Sequence, residues 1–429
     1  MFSKEYLYIL LLLILLQKLF KNKKAKTSRE LKLQQGYPLN SLLNFTELAT
    51  KYGYASEQHT LTTDDGYILT MFRITRGKNC HGPIRDPPVL LMHGLLMSSD
   101  SWMDAGPKAG LAYLISDLCY DLWVPNIRGN YYSKKHIKLD PEKDHEYWDF
   151  STIEFAYYDI PASIDYVLNY TMSEKINYVG YSQGGSTFLI MNSERTEYHD
   201  KIGVGILLQP GSRQIYTRSQ LLRHFTYAYQ INLTYLYKIG IYEALPLGGI
   251  VQKVAAFLCK NYIIADTVCR NFLSIIDSFH PGSVETETIR VLMGHFPAGT
   301  SVKNMAWYGQ AMNVDVFQKF DYGPSKNLQM YGTAEPPPFN LSAVTVPVVV
   351  IHGRNDFLTS PADTDWLTNH LPNVLEDYYV VDPLWNHFDV TYSHFTAKSI
   401  LPKIKEYLEK YSQIREMCLA KTQTINKYK

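Results

Sequence analysis

No C-x-x-C and no H-E-x-x-H occurs in the 429 residues, which leaves a zinc site without its usual ligand spacing. The formal net charge is only +1, and outside the first residues there is no basic field of the kind a nucleic-acid binder carries. We therefore expect no metal, no cofactor and no nucleic-acid partner. Internal repeats are absent, and low-complexity sequence does not extend beyond the amino terminus, which argues against a repeat array. Cysteine is scarce. Five occur, at Cys80, Cys119, Cys259, Cys269 and Cys418, and an odd count leaves at least one thiol unpaired within the chain. Cys259 and Cys269 are close enough to close a small loop in an oxidising compartment, or to be two buried free thiols.

What is present is an ordinary globular balance, 46% hydrophobic and 19% charged, with length for a large core. One large domain with an insertion fits that length as well as two domains do. Lys4 precedes an apolar run from Tyr6 to Leu16, too short for a comfortable membrane helix and suited to a signal peptide. Lysines at 18, 21, 23, 24 and 26 follow it, and no clear cleavage site is visible, so an uncleaved anchor is the alternative reading of residues 1–26. Either way the chain is expected in the secretory pathway, extracellular or lysosomal. Asn44, Asn169, Asn232 and Asn340 each begin an N-x-S/T sequon and are expected to carry glycans on surface loops.

Residues 60–63 and 67–74 flank Asp64-Asp65-Gly66 and read as a hairpin with a D-G turn. Short apolar runs follow at 88–92, 122–124, 176–179, 204–208, 348–351 and 378–381, separated by helical stretches. Apolar strands alternating with helices predict an α/β fold, a mostly parallel sheet covered on both faces. No such run falls between Leu208 and Val348. The Tyr/Phe/Leu/Met-rich segment 212–330 is expected to be a helical cap, inserted between core parts 27–211 and 331–429 and covering the strand ends where ligands bind.

Gly180-Tyr181-Ser182-Gln183-Gly184 is the strongest chemical signal. It reads G-x-S-x-G between a strand run and a helix start, the setting in which a serine hydroxyl is pushed out above a sheet. Such a serine needs a base and an orienting acid, arriving later in the chain as acid and then histidine. Asp356 follows the run at 348–351, and His387 follows the run at 378–381. His352, His370, His394, Asp363, Asp365 and Asp382 compete with them but sit less well placed. The backbone amides of Gln183, just after the serine, and of Leu95, after His93-Gly94, are the expected donors to a developing oxyanion. An ester would be attacked by Ser182 and the acyl group released by water, with no cofactor.

Further motifs resemble the acid lipases, the family of gastric and lysosomal acid lipases and their insect relatives. They are Leu91-Met92-His93-Gly94-Leu95-Leu96; Asn126-Ile127-Arg128-Gly129-Asn130 with Ser133 and His136; Pro297-Ala298-Gly299-Thr300-Ser301; and Trp385-Asn386-His387-Phe388-Asp389. The resemblance covers nearly the whole mature chain. It implies an α/β-hydrolase core with a lid-bearing cap. It implies hydrolysis of triacylglycerols or cholesteryl esters. The Tyr/Phe/Leu-rich insertion favours a lid and an apolar surface that meets a lipid–water interface, and a monomer is expected. The resemblance carries nucleophile, acid and base onto Ser182, Asp356 and His387, and it implies a Cys259–Cys269 disulfide. Two positions depart from the family, which usually has histidine where Tyr181 stands and threonine where Gly185 stands. Tyr181 is expected to alter the pocket or the pH profile. A soluble carboxylesterase and a non-catalytic lipid-binding protein on the same fold are the competing readings.

Overall fold

The computed structural model describes residues 29–414. Residues 1–26, expected to be a signal peptide or anchor, and Cys418 lie outside them. Among the described residues no helix is long and apolar enough to cross a membrane.

Eight strands make the body of one sheet: β1 (Glu57–Thr62), β2 (Tyr67–Ile74), β3 (Arg85–Met92), β4 (Tyr120–Pro125), β5 (Ile176–Tyr181), β6 (Ile202–Leu208), β7 (Val348–His352) and β8 (Val374–Tyr379). They lie in the order β1-β2-β4-β3-β5-β6-β7-β8. The expected hairpin is β1–β2, and β2 is antiparallel to both its neighbours. Every later pairing, from β4–β3 to β7–β8, is parallel.

Side chains of a strand alternate between faces, and here each face has its own core. Val89, Leu91, Val179, Ile206, Val349 and Ile351 join one buried cluster. Their neighbours Leu90, Met92, Tyr178, Leu207, Val348 and Val350 join the other. Helix α1 (Leu111–Asp117) packs on the first face, while α2 (Ile160–Thr171) and α3 (Gln183–Glu194) pack on the second. The continuous apolar runs of the central strands follow from this double coverage.

Between β6 and β7 lie the helices of the insertion: α4 (Gln220–Lys238), α5 (Ile250–Cys259), α6 (Arg270–Ile276), α7 (Thr286–His295) and α8 (Val302–Ala311). Helices α9 (Pro361–His370) and α10 (Leu401–Lys410) return to the sheet, one on each face. The last strand departs from expectation. It spans Val374–Tyr379 and ends before Val380 and Val381. Being at the sheet edge it is only half buried and tolerates Glu376 and Asp377, so the apolar run at its end was a misleading marker.

Two disulfides form, Cys259–Cys269 and Cys80–Cys119. The second pair is 39 residues apart in sequence, and it meets because the end of β2 and the start of β4 are neighbours in the sheet. Such a loop closure contributes on the order of 3–4 kcal/mol. Two disulfides belong to an oxidising compartment, as in the secretory pathway.

Candidate active site

Ser182 stands between the end of β5 and the start of α3 with φ 53° and ψ −115°, a sparsely populated conformation for a residue with a side chain. Such strain costs roughly 1–3 kcal/mol and is held only by a tightly specified surround. Glycines supply that surround. A Cβ on Gly180 would lie 2.5 Å from the Tyr178 ring, and one on Gly184 would lie 2.6 Å from the Met92 carbonyl oxygen. Gly185 is equally confined, because a Cβ there would sit 2.6 Å from Pro210.

The structure brings Ser182, His387 and Asp356 into one hydrogen-bonded row. Ser182 Oγ lies 2.8 Å from His387 Nε2, and His387 Nδ1 lies 2.7 Å from Asp356 Oδ2. Asp356 is fully buried and accepts three further bonds, from the Leu358 and Thr359 amides and the Thr359 hydroxyl. With Nδ1–H committed to Asp356, Nε2 is left to receive the Ser182 proton. Each competitor has another partner: His352 bonds Asp377, Asp363 accepts from the Tyr216 amide, and Asp365 accepts from the Tyr379 hydroxyl. His370 bonds the Trp366 carbonyl, His394 bonds the Ser283 carbonyl, and Asp382 accepts from the Leu384 amide.

Gln183 directly follows Ser182, and Leu95 lines the same cavity as Ser182. The Gly94 carbonyl accepts from His93 Nδ1 at 2.9 Å, and the peptide plane then points the Leu95 N–H the opposite way. His93 is buried, which lowers its pKa to about 4, so the ring is neutral. Its Nε2 accepts from the Ile127 amide and Asn130 Nδ2. The motif around Asn126 and Asn130, matched by resemblance without a job, therefore braces the His93 loop. Arg128 anchors it from below, with ion pairs to Asp65 and Asp159 at 2.5 and 2.6 Å. Gln183 is fixed by its side chain, whose Oε1 accepts from Asn304 and Tyr308.

Tyr181 now has a place. Its ring lies 4.9 Å from that of His387, and its hydroxyl donates to the His387 carbonyl at 2.9 Å. It supports the histidine from beneath. Ser182 and His387 open onto a cavity of about 270 Å³ whose walls are almost wholly apolar, among them Leu95, Phe225, Leu245, Phe272 and Phe296. Residues of the 212–330 segment contribute most of these walls.

Of the sequon asparagines, Asn44 and Asn340 are exposed at helix starts, where their side chains act as local acceptors. Asn169 lies on α2 and Asn232 on α4, helices rather than the surface loops expected. Asn232 Nδ2 donates to the Ala228 carbonyl at 2.8 Å.

A family model described as a partial alpha/beta-hydrolase lipase region matches residues 45–106, and one described as an alpha/beta hydrolase fold matches 87–203. Lipase 1 of Drosophila melanogaster is 34% identical over 86% of this chain and 81% of its own. The chain belongs to the acid lipase family. Gastric triacylglycerol lipase of Bos taurus is 35% identical over 84% of this chain and 90% of its own. Lysosomal acid lipase/cholesteryl ester hydrolase of Homo sapiens is 32% identical over 86% and 91%. This acid lipase is a carboxylic ester hydrolase on the α/β-hydrolase fold, as its motifs predict.

Proposed function

We propose that this lipase cleaves triacylglycerols and cholesteryl esters with Ser182 as nucleophile, His387 as base and Asp356 as the orienting acid. The 2.8 Å bond from Ser182 to His387 at the floor of an apolar cavity carries the reading. His387 Nε2 takes the hydroxyl proton as Oγ attacks the ester carbonyl carbon. The Leu95 and Gln183 amides receive the oxyanion. The imidazolium, held by Asp356, then protonates the leaving alcohol, and a water repeats the sequence in reverse to free the fatty acid.

An apolar wall offers long acyl chains a dry site and offers a polar substrate nothing to bind. Exposed apolar side chains on the cap, including Phe257, Ile263 and Ile275, support contact with a lipid–water interface. One chain supplies every group, so a monomer suffices, acting outside the cell or in the lysosome.

Fatty-acid release from emulsified triolein, cholesteryl oleate and a soluble short-chain ester tests this. Wild type should hydrolyse the long-chain emulsions in preference. Ser182→Ala should lose about four orders of magnitude or more on all three. Most activity surviving in Ser182→Ala, or hydrolysis of the soluble ester alone, would overturn the proposal.

A further inference from the structure

A short cap segment, Asp277-Ser278-Phe279, follows α6 and lies against both loops that deliver the acid and the base. Asp277 Oδ1 accepts from the Phe357 amide at 3.0 Å, and its Oδ2 accepts from the Phe388 amide at 3.2 Å. Phe357 directly follows Asp356, and Phe388 directly follows His387. The residues before them are held as well. Ser278 Oγ donates to the Asn355 carbonyl at 2.6 Å, and Asn386 Nδ2 donates to the Ser278 carbonyl at 3.0 Å. Asn355 Nδ2 donates to the Phe279 carbonyl at 3.1 Å. Asp356 and His387 are thus each bracketed, one residue on either side, by three consecutive residues of the cap.

We propose that Asp277 is a positioning residue for ester hydrolysis: it fixes the acid loop against the base loop and so sets the Asp356–His387–Ser182 row. The proposal rests on the roles given above to those three residues. Asp277 touches neither substrate nor reacting atoms. It acts through the backbone, and a carboxylate suits the task because two diverging oxygens can hold two separate N–H donors at once. Asp277 is almost fully buried, and burial followed by the Asp356 charge push its carboxyl well above the usual range. The bonds from the Phe357 and Phe388 amides act the other way, favouring the form that accepts at both oxygens. The strap also makes the row depend on the cap staying docked at this point, whatever the rest of the cap does.

Asp277→Asn keeps the shape but sets an N–H against one of the two backbone donors. Misplacement of reacting groups by about 1 Å can cost on the order of 100-fold. We expect kcat on a soluble p-nitrophenyl ester to fall about tenfold or more with KM within about twofold, counted per serine titrated by an organophosphate. Counting per titrated site removes the effect of misfolded protein. Ser278→Ala removes only the bond to Asn355 and should lower kcat a few-fold in the same way. It serves if Asp277→Asn is not secreted. A kcat per titrated site within about twofold of wild type, or a loss confined to the titrated fraction, would reduce Asp277 to a structural residue. Ser182→Ala assayed in parallel separates the two ideas. Activity surviving there would sink the catalytic assignment itself, whereas an inactive Ser182→Ala with a normal Asp277→Asn would sink only this inference.

Discussion

The sheet and the cap use apolar side chains in opposite ways. In β3, β5, β6 and β7 each apolar side chain ends in one of two buried clusters, and folding consumes that surface entirely. In the cap the same residue types face two directions. Phe272, Leu273 and Ile276 line the serine cavity, while Ile263 and Ile275, on the same stretch of chain, are 72% and 63% exposed. Apolar surface kept in water by a folded protein is available for a second apolar phase. The sheet holds the strained serine and its partners; the cap supplies the surface that would meet lipid. Many polar groups join the two regions, and one such join and the exposed cap face are two places where the comparison can be strained.

His295 is the first. It ends α7 in the cap and bonds Asp104 of the core through Nδ1 at 2.6 Å and the Leu43 carbonyl through Nε2 at 2.9 Å. Burial opposes its charge, but the Asp104 carboxylate outweighs burial and raises the pKa from 6.5 to about 9. A raised pKa means that the folded state holds the proton more tightly. The stabilisation is complete below about pH 6.5 and is lost as pH rises through about 9, and its size is about 3 kcal/mol. His295→Asn should therefore lower the thermal midpoint clearly at pH 6, with the gap to wild type closing above pH 9. A gap independent of pH would show that the pair does not link cap to core in this way. Asp100, beside this pair, is pushed by burial to about 6, which also favours the folded state as pH falls from 6 towards 4.

The exposed cap face is the second place. Ile263→Ser with Ile275→Ser should leave stability within about 1 kcal/mol, since both side chains are largely in water already. Triolein emulsion hydrolysis should drop about tenfold, because two isoleucines no longer partition into the lipid phase. Turnover of a soluble ester should stay within about twofold. Equal losses on both substrates would mean that the face serves the fold rather than an interface.

How much was legible in the sequence follows the same division. Ser182 was legible because strand, glycines and helix all lie within a dozen residues of it. Asp356 and His387 were legible because each follows the end of a strand, even though the second strand ends at Tyr379 and not at Val381. Asp277 was not, since its two partners lie 80 and 111 residues further along. No local pattern marks a carboxylate that bonds two distant amides. The Cys80–Cys119 pairing was not legible for the same reason, because only sheet order makes the two neighbours. His93 was visible as part of an H-G turn, but its function as a brace for the Leu95 amide depends on Asn130, which reaches it only in the folded chain. Tyr181 departs from the family at a position the motif exposes, and its contact with the His387 carbonyl needed coordinates.

The central claim is that Ser182 is the activated nucleophile, and covalent capture tests it most directly. Wild-type protein treated with an organophosphate should gain one phosphoryl adduct per chain, mapped by peptide mass to Ser182, and should lose lipase activity in step. His387→Ala should slow the labelling by orders of magnitude, because the serine loses its base. An adduct on another residue, or full lipase activity in protein fully labelled at Ser182, would contradict the account.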